Sequence, residues 1–271
     1  MNYKLINGEC IEEMKKLSDH SIDLILCDLP YGTTKNKWDN IISFNDLWEQ
    51  YERIIKDNGA IILFGQDKFT AKCMLSNEKM HRYNLIWDKV LTSGFLNANR
   101  MPLRKHEDIM VFYKKLPTYN PQKVKGVPSH IKGKVVGKMN DDVLQNNNYG
   151  NFKCVETIGD MKHPTSILTF SKPHPSIAVH PTQKPVELLE WLIKTYTNEG
   201  DIVLDNCMGS GSTGVAALNC GRRFIGIELD KGYFEIAEQT AKNIYYISKI
   251  LTQTSNALAE QVKTLQLQLE K

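Results

Sequence analysis

Ser21-Ile22-Asp23-Leu24-Ile25-Leu26-Cys27-Asp28-Leu29-Pro30-Tyr31 is the stretch from which the rest of the chain is read. Its first seven residues form a short aliphatic run, the pattern of a buried strand. The run then stops on an acid, a leucine, a proline and an aromatic. Pro30 has no N–H, so a strand ladder ends there and neighbouring carbonyls are left to accept from a guest. In open α/β sheets the carboxyl edge of the strands is where ligands sit. Asp28 adds a second acceptor, and Tyr31 a face for a planar ring. Two acceptors beside a stacking surface suit a flat ligand bearing an NH2 group, such as adenine or cytosine. The plainer alternative is a strand closed by an ordinary proline turn.

A second strand of the same kind, residues 201–204, leads into Asp205-Asn206-Cys207-Met208-Gly209-Ser210-Gly211-Ser212-Thr213-Gly214. Glycines let the backbone turn tightly and come close to a ligand. The helix expected over 212–220 starts with Ser212 and Thr213, and its N-terminus favours a carboxylate. The strand expected over 223–227 ends at Glu228, where an acid can accept from both hydroxyls of a ribose. These parts suit a nucleoside carrying a small anionic group. Gly209-x-Gly211-x-x-Gly214 also fits the dinucleotide fingerprint, which would make the protein a nicotinamide-dependent oxidoreductase. Such a fold opens with that motif, whereas here it comes late, after Asp28.

Between these poles the chain reads as alternating strands and helices, with strands at 3–7, 60–64, 83–87 and 108–113 and helices at 9–17, 46–57 and 67–76. Asn58-Gly59 is read as the stop of the 46–57 helix. Glu9 and Cys10 follow the first strand at the ligand edge, where an acid at a helix N-terminus is also favoured for its own sake. Residues 32–40 form a polar loop with Lys35, Lys37 and Trp38. Arg100 and Arg104 could reach phosphate or pair with nearby acids. Pro185 opens a helix that buries Leu188, Leu189, Leu192 and Ile193.

Residues 114–175 break the rhythm with prolines, glycines and Asn146-Asn147-Asn148, too long for an ordinary loop. Net charge is +3 over 271 residues, yet residues 114–174 hold ten lysines against four acids. Lys123, Lys125, Lys132 and Lys134 lie there among Tyr119, His130, Tyr149 and Phe152. Positive charge steers toward phosphates, and polar or aromatic groups reach base edges. A passive lysine-rich loop is the alternative. The expected organisation is a discontinuous α/β domain, 1–113 with 176–245, a recognition insertion at 114–175, and a C-terminal helix at 246–271. Ile244, Leu251, Leu258 and Leu265 recur every seven residues there, a seam that packs on the body or pairs two copies as a homodimer. Six scattered cysteines form no CxxC pair, so neither a metal site nor a disulfide framework is expected. No apolar run has the length of a membrane span, and Lys4 and Glu9 interrupt the start, so a cytoplasmic setting is expected.

Asp28-Leu29-Pro30-Tyr31 resembles the Asp-Pro-Pro-Tyr motif of DNA amino-methyltransferases, with Leu29 where that family usually has its first proline. His180-Pro181-Thr182-Gln183-Lys184-Pro185 is similar to the family segment beside the methionine end of S-adenosylmethionine. The order of catalytic motif, insertion, His-Pro segment and glycine loop resembles the β group, over all but about the last twenty residues. The resemblance implies a methyltransferase Rossmann-like fold, mostly parallel and circularly permuted. It implies S-adenosylmethionine as cofactor and double-stranded DNA as partner. By it, Asp28, Leu29, Pro30 and Tyr31 are catalytic, with the Leu29 carbonyl accepting from the target amine. Glu9 and Cys10 lie by the cofactor's adenine, and His180, Thr182 and Lys184 by its methionine end. Asp205 faces its amino group, Gly209 and Gly211 line it with Ser212 and Thr213 beyond, and Glu228 takes the ribose. An Asp-first motif favours adenine N6 over cytosine N4. The rival readings are the oxidoreductase, a catalytically weak DNA-binding protein, and methylation of a protein amide.

Overall fold

Ile22–Cys27, β2, lies in the middle of an eight-stranded sheet because both of its faces find cover. Leu24 and Leu26 pack into one core cluster, Ile22, Ile25 and Cys27 into another, and all five are buried. The computed structural model describes residues 2–32, 40–126, 139–140, 143–146, 150–153, 160–172 and 183–244, with 246, 247, 250, 254 and 261 beyond them.

The chain runs through β1 (Tyr3–Asn7), α1 (Cys10–Lys15), β2, α2 (Phe44–Ile54), β3 (Ile55–Gly65), α3 (Asp67–Ser76), β4 (His81–Ser93) and β5 (Arg104–Phe112). Pro121–Thr165 is a second compact unit. It pairs β6 (Val124–Lys125) antiparallel with β10 (Met161–Lys162), and β8 (Val143–Asn146) with both β7 (Met139–Asn140) and β9 (Gly150–Lys153). The chain then returns through β11 (Ile167–Thr169), α4 (Val186–Tyr196), β12 (Ile202–Asp205), α5 (Ser212–Asn219) and β13 (Arg223–Glu228). A last helix, α6, covers residues 231–244.

Strand order is β1-β13-β12-β2-β3-β5-β4-β11. β5 pairs antiparallel with both neighbours, and the other pairs are parallel. This is the mixed, mostly parallel α/β sheet expected. From β12 the chain moves outward to β13, and from β2 it moves the other way to β3. The strand order therefore reverses between β12 and β2, and such a switch point opens a crevice at the carboxyl ends. α4 and α5 cover one face through Leu188, Leu189, Leu192, Ala216 and Ala217. α1, α2 and α3 cover the other through Met14, Leu47, Tyr51, Phe69 and Cys73.

Three boundaries differ from the sequence reading. Asn58-Gly59 does not end α2; that helix stops at Ile54, and Ile55–Gly65 is one strand. Buried Ile55 pairs with Ile22 of β2, and a Cβ on Gly59 would stand 2.8 Å from the Asp23 carbonyl oxygen. A close backbone approach thus explains that glycine. β4 and β5 are longer than the runs at 83–87 and 108–113, because they pair with each other as far as Ser93 and Arg104. Residues on both flanks of Pro121–Thr165 belong to the sheet unit: Lys115 Nζ pairs with Asp57 at 2.6 Å, and Ile167–Thr169 joins β4 in parallel. Among the described residues no helix is long and apolar enough to cross a membrane. The heptad seam past Ile244, with Leu251, Leu258 and Leu265, lies outside the described residues.

Gly214 lets α5 close on β13. A Cβ there would come within 2.7 Å of the Phe224 ring. Gly214→Ala is expected to cost about 1–3 kcal/mol through overpacking, read as a lower midpoint in urea unfolding.

Candidate active site

β1, β13, β12 and β2 run parallel, so they finish on one rim. Leu204 stands beside Ile25, which brings the residues after β2 and the end of β12 onto neighbouring strands. Asp28 and Asp205, far apart in sequence, line one cavity of about 1470 Å³ with Tyr31, Gly209 and Glu228. That exceeds the roughly 300–1,000 Å³ of a typical single-ligand pocket.

At the Asp28 end each carboxylate oxygen has a partner. Tyr31 donates its hydroxyl to Oδ1 at 2.7 Å, and Lys184 Nζ donates to Oδ2. Leu29 is buried, and its neighbour Pro30 lines the cavity. The Tyr31 ring rests on Phe69, centroids 4.7 Å apart, which orients it. Burial, with the Asp28 and Glu107 charges next, pushes the Tyr31 hydroxyl well above its ordinary range, so it stays a neutral donor.

Behind this pair lies a charge network. Lys184 Nζ is 3.5 Å from Glu107 Oε2, and Lys89 Nζ is 3.1 Å from Glu107 Oε1. Lys89 is 1% and Lys184 6% exposed, so neither ammonium has water as its main partner. Burial opposes the charge on Lys184, but Asp28 and Glu107 outweigh it and hold the ammonium above its usual range. Glu107 is the converse: burial pushes it up, and Lys184 and Lys89 bring it below the usual carboxylate range. Lys172, also on the cavity, is lowered by burial and by Lys89.

At the Asp205 end the carboxylates are held by backbone. Glu228 Oε2 accepts from the Gly209 N–H at 2.8 Å and Oε1 from the Asp230 N–H at 2.8 Å. Burial still raises Glu228. Asp205 Oδ1 accepts from the Cys207 N–H at 3.1 Å. Burial pushes Asp205 up to about 6, with the Thr213 hydroxyl and the Cys207 N–H pulling the other way. Glu9 caps α1 by accepting from the Glu12 N–H at 2.9 Å, and it lines the cavity with Cys10.

The remaining expected residues divide. Ser212 and Thr213 line the cavity, whereas Gly211 turns the chain behind its wall against Ala237. Lys184, expected beside the methionine end of a cofactor, has its ammonium on Asp28 and Glu107. Arg104 lines the rim, held by Gln66 at 2.6 Å and Asp67 at 2.7 Å, while Arg100 is exposed on the β4–β5 turn. Lys123 and Lys125 belong to the second unit, where Lys125 faces Asp160 at 3.6 Å. Lys35, Lys37, Trp38, Lys132, Lys134, His180 and Thr182 lie outside the described residues.

Lys89, Glu107 and Lys172 were not singled out from the sequence. A signal was present for Lys89: Leu85, Trp87 and Lys89 are buried at alternate positions, so the lysine continues the inward side of β4.

The sheet order, the rim and its two acidic poles define a nucleoside-cofactor methyltransferase fold. Comparison with known proteins agrees. The DNA methylase family matches residues 22–239. The Type II methyltransferase M.HpaI of Haemophilus parainfluenzae is 30% identical over 88% of this chain and 74% of its own length. The Type II methyltransferase M2.MboI of Moraxella bovis is 26% identical over 92% of this chain and 90% of its own. The crystal structure of an M1.HpyAVI–SAM complex superimposes with a TM-score of 0.58 at 25% identity, over 88% of this chain and 99% of that one. The cytosine-N4-specific PvuII methyltransferase shares the fold, with a TM-score of 0.64 at 15% identity, over 91% of this chain and 92% of that one. The chain belongs to the DNA methylase family. It is an S-adenosylmethionine-dependent DNA methyltransferase.

The donor set fits that cofactor, since buried Asp205 and Glu228 are acceptors suited to an ammonium and to ribose hydroxyls. A protonated Asp205 loses its attraction for an ammonium. S-Adenosylmethionine affinity, followed by titration calorimetry, is therefore expected to fall as pH drops below about 6, approaching tenfold per pH unit for one proton taken up. Asp205→Asn should weaken binding at pH 7 by about tenfold or more, for a hydrogen bond to a charged group, and abolish that slope. Glu107→Gln leaves two buried ammonium groups short of a counter-charge and should cost about 3 kcal/mol in urea unfolding.

Proposed function

We propose that this enzyme methylates the exocyclic N6 of adenine in double-stranded DNA, on a base swung out of the helix into the cavity. It does so as a modification enzyme of restriction-modification type in a bacterial cytoplasm. The observation that carries the reading is the placement of Asp28, just past β2, and Asp205, the last residue of β12, at the same end of adjacent strands on one cavity. One pole then holds the cofactor and the other the amine. The Type II relatives support a modification enzyme, and the Asp-first motif supports adenine; cytosine N4 is the alternative.

Bound S-adenosylmethionine supplies an electrophilic sulfonium methyl. The chain's own part is to make an aromatic amine a better nucleophile. Asp28 and the Leu29 carbonyl accept its two N–H groups, which favours a pyramidal nitrogen with an available lone pair. Tyr31 and Lys184, which hold Asp28 in this structure, keep that carboxylate aimed at the cavity. The nitrogen gains the methyl, the C–S electron pair stays on sulfur, and the amine proton leaves to solvent. A base inside a duplex cannot reach this rim, so it must be extruded. The unit Pro121–Thr165, with Lys123 and Lys125, is read as the target-recognition part. Pairing of two copies through the C-terminal heptads belongs to the same reading.

Labelled methyl transfer to unmethylated duplex DNA, followed by nucleoside mass spectrometry, is expected to yield N6-methyladenine. N4-methylcytosine would overturn the choice of base, and no label would overturn the activity. Asp28→Ala should lower transfer by about 100-fold or more while cofactor binding persists.

A further inference from the structure

The turn between β4 and β5 carries two of the three most exposed large apolar side chains among the described residues: Phe95 is 77% and Leu96 82% exposed. Leu91 and Met101 are exposed beside them. A cluster of this kind marks a contact surface more than a chance of composition.

Its position narrows the partner. β4 is antiparallel to β5, β5 to β3, and β3 is parallel to β2. β4 therefore points the same way as β2, and its C-terminal turn stands on the rim that carries Asp28. Trp87 and Glu107, on the two legs of this hairpin, line the cavity itself. Its charge narrows the partner again. Residues 89–106 contain Lys89, Arg100, Arg104, Lys105 and His106 and no acid. Lys89 is buried on Glu107, and Arg104 and Lys105 pair with Asp67 and Asp88, but Arg100, Arg104, Lys105 and His106 are all exposed, and an apolar tip among exposed cations fits a polyanion with an apolar interior, which describes stacked DNA.

The hairpin is also shaped at two places. A register shift interrupts the β4–β5 ladder between Asp88 and Ser93, and Val90 within it has φ 64. A β-branched residue in the left-handed region is a genuine outlier, and bulges of this sort re-aim a strand beside active sites. Beyond it, Phe95–Asn97 form a single 3-10 turn, with the Ala98 N–H donating to the Phe95 carbonyl at 3.1 Å and the Arg100 N–H to the Asn97 carbonyl at 2.8 Å. Arg104, at the base, is fixed by Gln66 and Asp67.

We propose that the β4–β5 turn is an apolar wedge that enters the duplex beside the target, Phe95 and Leu96 filling the stack the extruded base leaves. The proposal rests on the base-extrusion reading above. Removing a base from the stack costs a few kcal/mol, least where the base is already unpaired. Apolar side chains inserted between base steps are a known way of holding a duplex open. Here they stand on the rim that receives the base.

Once the methylated positions in DNA have been mapped, the test compares two duplexes carrying a target adenine, one fully paired and one with an abasic residue opposite the target. Single-turnover methyl transfer is measured for the wild type, for Phe95→Ala/Leu96→Ala and for Phe95→Trp/Leu96→Met. The alanine pair is expected to slow the paired duplex by about tenfold or more and the abasic duplex little, since that base is already freed. The conservative pair should keep the wild-type rate on both. With 2-aminopurine at the target, the fluorescence rise on binding should shrink only for the alanine pair on paired DNA. An unchanged rate on paired DNA, or an equal loss on both duplexes, overturns the wedge. A change of oligomeric state in sedimentation with paired-duplex transfer intact does so too, in favour of a contact with a second copy. A wild type that methylates neither duplex would instead remove the reading beneath it.

Discussion

The parallel pairing of β12 with β2, Val203 beside Leu24 and Leu204 beside Ile25, is the constraint on which everything else depends. Adjacent strands are roughly 4.8 Å apart. Two residues at the same end of such strands are brought to one crevice. Asp28 and Asp205 are, although nearly the whole methyltransferase body lies between them in sequence. The sheet on either side is built outward from this seam, and the reversal of strand order at it leaves the crevice without a crossover helix over it. Cofactor and substrate can then meet at one edge of the sheet, on the loops that leave β2 and β12.

Electrostatics finish the site. The Asp28 end holds Lys184 and Lys89 around Glu107, each nearly out of reach of water. Charges so placed are retained only as a set, because any one of them alone would be an uncompensated buried ion. The network reaches Asp28 through Lys184, so the aim of the acceptor carboxylate is fixed by residues of β4, β5 and the chain entering α4. The Asp205 end uses another device. Backbone N–H groups of Gly209 and Asp230 hold Glu228, and burial raises the Asp205 carboxyl to about 6. One end is organised to present a charge, the other to receive one.

The chain has two compact units. The sheet unit carries the chemistry together with the β4–β5 turn at its rim. The lysine-bearing unit Pro121–Thr165 is joined to it by segments that belong to the sheet, at Lys115 on one side and Ile167–Thr169 on the other. An insertion anchored by a strand at its exit leaves the hydrophobic core of the host intact.

Much of this was legible in the amino-acid order. The aliphatic run before Asp28, the glycines after Asp205 and the helical spacing of Leu188, Leu189, Leu192 and Ile193 each report a local preference: burial, tight turning, an amphipathic face. Local preference is what a sequence carries, and so β1, β2, α3 and β13 fell where they were expected. Asn58-Gly59 misled because a glycine needed for close approach to a neighbouring strand looks the same as one that ends a helix. The charge network was out of reach for a related reason. Nothing in one dimension shows that Glu107 of β5 waits beside Lys89 and Lys184. The sequence by itself determined most of the strands and helices of the sheet, the acidic residues that stand at the strand ends and the resemblance to the family. Which ends share a rim, which charges are buried together and where the β4–β5 turn points were decided by tertiary structure alone, because each is a contact between residues the chain holds far apart.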